Sequence, residues 1–116
     1  MPLLSILTNQ ALPGEVRQRA VRSLSGTVAQ ALGKPERYVM VSLQHNPDML
    51  FAGSDAPLAF LRLNSIGLPA ERTGELSATL CQAVSAQFDI PSERIYIEFC
   101  DAERHLWGWD GRTFAD

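Results

Sequence analysis

The residue with the clearest chemical potential is Pro2, which becomes the N-terminal residue if Met1 is trimmed, as is usual before a small residue. Its secondary amine would then be free. An α-amino group titrates near about 7.7–8.0, and partial burial disfavours its charged form. Pro2 opens an apolar run, so we expect a neutral amine that can act as a general base. A Met-Pro start is by itself common, and if Met1 stays attached the Pro2 nitrogen is an amide that cannot accept a proton.

Lys34 and three aromatic residues are further candidates. Lys34 follows Gly33 at the expected end of a helix, where it either complements the helix dipole or binds an anion. Trp107, Trp109 and Phe114 lie among the last ten residues and either line a pocket or anchor the C-terminal segment. The sequence leaves both alternatives open for each.

Other kinds of chemistry find little support. His45 and His105 have no partner at the spacing of a metal site or a catalytic triad, and Cys81 and Cys100 match no metal or redox spacing. No glycine-rich phosphate loop or nucleophile elbow occurs. We therefore expect no cofactor and no metal.

Length and charge narrow the possible partners. The chain has 116 residues with 46% hydrophobic content, which fits one domain. Its formal charge is −3 with scattered basic residues, so we expect no nucleic-acid partner. Its apolar runs are far shorter than the roughly 20 residues of a membrane span, and the start does not resemble a signal peptide. The expected location is the cytoplasm, with no membrane partner.

The hydrophobic pattern predicts the elements that must position these residues. Four strands and two helices are expected, in the order β-α-β-β-α-β. The predicted segments are Leu3–Thr8, a helix over 13–32 that ends at Gly33, Tyr38–Leu43, Leu58–Ile66, a helix with Leu76, Leu80, Val84 and Phe88 at helical spacing, and Ile95–Phe99.

The two halves of the chain, about 1–57 and 58–116, appear as copies of one unit. Pro35-Glu36-Arg37-Tyr38-Val39 parallels Pro91-Ser92-Glu93-Arg94-Ile95 before the second strand of each copy. The pattern predicts an α+β domain of two β-α-β repeats, with two helices on one face of a four-stranded sheet. Apolar residues fall on both faces of the strands, which favours an oligomer that covers the other face. The alternative is that this second face is simply exposed.

Six segments in the same order resemble the macrophage migration inhibitory factor family of the tautomerase superfamily, and the resemblance runs from end to end. They are Met1-Pro2, Leu32-Gly33-Lys34-Pro35 followed by Tyr38, Phe51-Ala52-Gly53-Ser54, Asn64-Ser65-Ile66-Gly67, Arg94-Ile95-Tyr96-Ile97 and Gly108-Trp109-Asp110-Gly111-Arg112-Thr113-Phe114-Ala115. The resemblance implies a mixed sheet and a homotrimer with three sheets around a central channel.

The resemblance also implies roles for particular residues at a site between subunits. Pro2 would be the catalytic base, and Lys34 and the backbone of Ile66 would bind the carboxylate and oxygen of the substrate. Ser65 lies in the same segment and is included among the substrate-binding candidates. The pocket would be lined by Tyr38, Trp109 and Phe114, with Tyr96 and Glu98 from the adjacent subunit. Trp107 is a further substrate-binding candidate from this chain.

Some positions differ from the animal members of the family. An asparagine is usual where Glu98 stands, and a small aliphatic residue where Trp107 stands. A carboxylate would repel an anionic substrate and an extra indole would narrow the pocket, so substrate preference is the least transferable property. Leu58-Ala59-Phe60-Leu61 replaces a Cys-x-x-Cys, so we expect no thiol redox activity.

Three hypotheses follow for function. The first is a cofactor-independent keto–enol tautomerase that acts on a small aromatic α-keto acid such as phenylpyruvate, with Pro2 as base. The second is a cytokine-like binding or signalling protein with the same pocket and little turnover. The third is a ferredoxin-like regulatory domain, which the N-terminal proline and the Gly-Trp segment make less favoured.

Overall fold

Two helices cover one face of a four-stranded sheet in the computed structural model, which describes residues 1–116. Neither helix is long and apolar enough to cross a membrane. In chain order the elements are β1 (Leu3–Thr8), α1 (Gly14–Leu32), β2 (Met40–His45), β3 (Ala59–Ile66), α2 (Thr73–Phe88), β4 (Ile95–Ala102), β5 (Gly108–Trp109) and β6 (Arg112–Thr113).

The sheet is mixed, with the strand order β2-β1-β3-β4. The outer pairs, β1 with β2 and β3 with β4, are parallel, and the central pair of β1 with β3 is antiparallel. Each parallel pair is joined through a helix, as a crossover between parallel strands requires. The predicted α+β fold with two helices on one face is thereby confirmed.

The core lies between the helices and the sheet. All four apolar residues at helical spacing in the second half, Leu76, Leu80, Val84 and Phe88, are buried on α2. On α1 the buried residues are Ala20, Leu24 and Val28. Alternate residues of β1 face them, and these include Leu4 and Ile6. The helical and strand periods of the sequence therefore specify this layer directly.

The other face of the sheet, which we call the open face, is less apolar than expected. Leu3 and Leu7 do lie there, but Leu4 and Ile6 face the helices. Between Leu3 and Leu7 a polar row crosses all four strands in register, formed by Ser42, Ser5, Arg62 and Glu98. A surface that contains an ion pair is suited to contact with water as well as with other chains.

Tyr38 lies outside the strand in which the sequence pattern placed it. The segment Glu36–Tyr38 is a single 3₁₀ turn, in which the Tyr38 amide donates to the Pro35 carbonyl at 3.1 Å. Strand β2 starts two residues later, at Met40, and runs to His45. Tyrosine is favoured in strands, but the turn after Pro35 determines the backbone here and directs Tyr38 away from the sheet.

Candidate active site

A cavity of ≈ 420 Å³ opens beside the start of β1. The N-terminal residues form one wall, the turn before β2 forms the second, and the C-terminal hairpin forms the third. The lining residues are Met1, Pro2, Leu3, Arg37, Tyr38, Val39, Met40, Trp107, Gly108, Trp109 and Phe114. The structure thus brings five of the predicted site residues into one cavity, although they come from distant parts of the chain.

Aromatic rings form most of the wall opposite the N-terminus. Tyr38 meets Trp109 edge to face at 5.5 Å between ring centroids, and Phe114 at 6.1 Å in the same manner. Trp109 and Phe114 are nearly parallel at 6.0 Å. The Phe114 amide donates to the carbonyl of Trp107 at 3.2 Å, which folds the C-terminal segment back on itself. These contacts favour the pocket-lining alternative for the C-terminal aromatic residues.

Pro2 is fully buried at the inner end of this cavity. Its carbonyl accepts a hydrogen bond of 3.0 Å from the Met40 amide, which continues the parallel pairing of β1 with β2 beyond the strand end. In the chain that retains Met1, the pKa of the terminal amine is lowered from 8.0 to about 6, first by burial and then by the nearby positive charge of Lys34. The site therefore favours a neutral amine at neutral pH.

Lys34 reaches this region because α1 ends abruptly. Gly33 adopts a left-handed conformation with φ 64°, and the amides of Gly33 and Lys34 donate back to the carbonyls of Gln30 and Ala29. The chain then turns toward the sheet, and Lys34 Nζ donates to the carbonyl of Ile66 at 2.7 Å. The ammonium group thus interacts with the end of β3 rather than with the last carbonyls of its own helix.

Ser65 lies next to this contact but does not line the cavity. Its side chain is completely buried on the helix-facing side of β3, and its Oγ has no hydrogen-bond partner in the chain. An unpaired buried hydroxyl costs free energy, so the position is unusual for a purely structural serine. Ile66 is also buried, and its carbonyl accepts the bond from Lys34, although neither residue is among those that line the cavity.

Tyr96 and Glu98 are not brought to the cavity. Both lie on β4, which is two strands away from β1. Tyr96 is 64% exposed and contacts the ring of Phe51 at 4.6 Å between centroids. Glu98 forms an ion pair with Arg62, which lies directly opposite it on β3, and both side chains are about half exposed. The charge of Glu98 is thus compensated within the chain.

Arg94 binds the loop that carries Phe51, the residue that Tyr96 contacts. Its guanidinium donates hydrogen bonds of 2.9–3.1 Å to four carbonyls of one loop, those of Phe51, Ser54, Ala56 and Pro57. The same group lies 5.3 Å from the centroid of the Phe51 ring. Because five fixed donors match this set of acceptors, Arg94 holds the 51–57 loop against the base of β4.

Arg37 is the one charged side chain among the lining residues, and the sequence did not indicate it as a site residue. Its guanidinium carbon lies 4.9 Å from the centroid of Tyr38, and the group forms no hydrogen bond or ion pair within the chain. In the sequence, Arg37 stands out only as part of the segment that is repeated in the two halves of the chain. The available signal was a cation placed between two site candidates, Lys34 and Tyr38.

The remaining polar candidates lie apart from this cavity. His105 contacts Glu103 at 3.3 Å on the surface, and His45 ends β2. No three His, Cys, Asp or Glu side chains come close enough together to form a metal site.

Comparisons with known proteins agree with this architecture. The family model described as macrophage migration inhibitory factor matches residues 1–115. A homologue of this factor from Brugia malayi is 35% identical over 99% of this chain and 100% of its own length. The mouse factor is 33% identical over 99% of this chain and 100% of its own. A crystal structure of a homologue from Prochlorococcus marinus matches with a TM-score of 0.89 and 39% identity, covering 97% of this chain and 98% of that one.

The fold is that of the tautomerase superfamily. Within it, this chain belongs to the macrophage migration inhibitory factor family.

Proposed function

We propose that the chain is a cofactor-independent keto–enol tautomerase that acts on α-keto acids such as phenylpyruvate, with Pro2 as general base after removal of Met1. One domain would carry this activity, composed of β-α-β halves at about 1–57 and 58–116. The observation that carries the proposal is the aromatic cavity that contains Pro2, an environment that, in the chain retaining Met1, lowers the pKa of the Met1 amine to about 6 by burial and by the charge of Lys34. A titratable group whose pKa is strongly perturbed inside a cleft is a functional-site candidate.

The chemistry needs one group that moves a proton. The Pro2 nitrogen takes the proton from the carbon next to the ketone, the electron pair forms the carbon–carbon double bond, and the ketone oxygen takes up a proton to give the enol. A base with a pKa near the working pH is the most effective in both directions. The aromatic rings of Tyr38, Trp107, Trp109 and Phe114 would bind the aryl group of the substrate.

Lys34 is suited to hold the substrate carboxylate. An ammonium has three donors, and the bond to the carbonyl of Ile66 uses one of them. The same bond fixes the direction of the side chain. The backbone of Ile66 is the proposed partner of a substrate oxygen, as the family resemblance implies, and Ser65, whose buried hydroxyl does not reach the cavity, would act only by positioning that segment.

We further propose that the site is completed in a homotrimer. Tyr96 and Glu98 project from β4 at the far edge of the sheet, so they reach a Pro2 cavity only if that cavity belongs to an adjacent subunit. The open face would then line the space between the subunits. Because Arg62 neutralises Glu98, the carboxylate would repel an anionic substrate less than the sequence suggests.

The second candidate is a binding protein that keeps the pocket with little turnover. Its support is that the similar animal proteins carry the name of a migration inhibitory factor. If Met1 is retained, this is the function that the cavity still permits.

Enolisation of phenylpyruvate, followed by absorbance, separates the two candidates. The samples are the wild type and Pro2→Ala, each with intact mass measured to establish loss of Met1. The tautomerase proposal expects activity in the trimmed wild type and a loss of at least about 100-fold in Pro2→Ala, the contribution typical of a positioned base. Equal and slow rates for both would reject the tautomerase and leave the binding protein.

A further inference from the structure

Arg37 has no role in the proton transfer described above, yet it lines the same cavity. Its guanidinium is exposed and stacks on Tyr38, with no acceptor in the chain for its five donors. Arg37 differs in this from Arg62, which pairs with Glu98, and from Arg94, which binds four loop carbonyls. Arg37 is thus a free cation at the rim of an aromatic cavity in a chain of formal charge −3.

The site therefore has cations at two places. Lys34 lies near the terminal amine, since its charge contributes to the lowered pKa of that amine. Arg37 lines the cavity and stacks on Tyr38, three residues after Lys34 in the chain. Three residues span at most about 11 Å, so the two backbone positions are no further apart than the ends of a small elongated substrate.

We propose that Arg37 binds a second acidic group of the substrate, so that this site prefers α-keto acids with another carboxylate at the end remote from the ketone. The proposal rests on the tautomerase site proposed above and names its substrate class. Lys34 binds the carboxylate beside the ketone, the aromatic rings cover the middle of the molecule, and the planar Arg37 fork binds the distal carboxylate through two hydrogen bonds.

The stacking on Tyr38 has a competing explanation, in which Arg37 only rigidifies the ring. The two roles differ in what they discriminate. A rigid Tyr38 helps every aromatic substrate equally, whereas a carboxylate-binding arginine raises kcat/KM only for substrates with the second charge. The test is therefore a ratio between two matched substrates and not an absolute rate.

The substrates are phenylpyruvate and 4-carboxyphenylpyruvate, assayed with trimmed wild type, Arg37→Gln, Arg37→Lys and Arg22→Gln. Arg22 is an exposed arginine of α1, so its variant matches the change of charge away from the cavity. We expect the ratio of kcat/KM, 4-carboxyphenylpyruvate over phenylpyruvate, to fall at least about 10-fold in Arg37→Gln, mainly through KM. The ratio for Arg37→Lys should lie between the ratios of the wild type and Arg37→Gln, and Arg22→Gln should leave the ratio unchanged.

An unchanged ratio in Arg37→Gln, whether or not kcat/KM falls equally for both substrates, would overturn the proposal. Binding of phenylacetate and 4-carboxyphenylacetate, which cannot react, is measured by calorimetry. It distinguishes failure of the Arg37 proposal from failure of the tautomerase proposal. If no keto acid is turned over but the doubly charged probe still binds more tightly through Arg37, the tautomerase is rejected and the anion site stands. If Arg37→Gln does not reduce that preference, the anion site is rejected whatever the activity.

Discussion

Replacement of Lys34 by Gln changes the charge next to the terminal amine and leaves the residues that enclose it in place. In the chain that retains Met1, the pKa of this amine is lowered from 8.0 to about 6, mainly by burial and secondarily by Lys34. Loss of the charge removes the smaller cause only. We therefore expect the pKa to rise in Lys34→Gln and to remain below 8.0. At pH 7 the wild-type amine is about 90% neutral, against about 10% for an ordinary one.

The pKa can be measured by competitive labelling of the amine with an acylating reagent between pH 4 and pH 10, read by mass spectrometry of the N-terminal peptide. Only the neutral amine reacts, so the labelling rate reports its protonation. Arg22→Gln removes the same charge from a distant part of α1 and should leave the pKa at the wild-type value. A pKa that is unchanged or lower in Lys34→Gln would refute the electrostatic link between Lys34 and the amine.

The same pKa has a consequence for stability. The unfolded amine binds a proton below about 8 and the folded one only below about 6, so between these values the unfolded state holds more protons. The free energy of unfolding should therefore decrease as pH falls through this window, and less so in protein whose amine is acetylated. Urea unfolding at several pH values checks the sign, and an acetylated protein with the same pH dependence as the free one would contradict it.

Three further perturbations test other features. Arg62→Gln leaves Glu98 uncompensated and should raise the KM for phenylpyruvate by about 2- to 5-fold, the scale of an exposed ion pair, and the double variant with Glu98→Gln should reverse it. We expect both Pro2→Ala and Tyr96→Ala to be strongly impaired when each is assayed alone. Refolded together in equal amounts, they should regain about a quarter of the wild-type activity, since each mixed trimer contains one intact site. No recovery would place both residues in one subunit. Gly33→Ala should lower the free energy of unfolding by about 1 kcal/mol in urea titration, because the added Cβ meets no atom and only the positive φ is strained.

The sequence predicted the elements well because their periods are strong. The four-residue spacing on α2 and the alternation in β1 translate directly into buried faces. Strand ends were less certain: β4 continues to Ala102, since hydrogen bonding to β3 and not apolar character sustains it. Tyr38 was wrongly placed in a strand because tyrosine favours strands, whereas the 3₁₀ turn at Glu36–Tyr38 keeps it out of the sheet.

The candidate site was predictable only in part. Pro2 and the aromatic residues could be identified from the sequence by residue type and by position near the two ends of the chain, and the cavity contains them. The bond from Lys34 to the carbonyl of Ile66 joins residues 32 positions apart, so no local pattern indicates it. The pairing of Arg62 with Glu98 likewise depends on strand register, which the sequence does not determine by itself.

The four bonds of Arg94 also have a consequence for how the molecule opens. They attach the 51–57 loop to the base of β4, although the loop follows β2 in the chain. Loss of this one guanidinium would release several carbonyls and the Phe51 ring together, so the loop and the edge strand should behave as one cooperative unit. In amide hydrogen exchange, protection at Phe51 and Ser54, whose amides pair across the turn, should then rise and fall with β4 and not with the strand that precedes them.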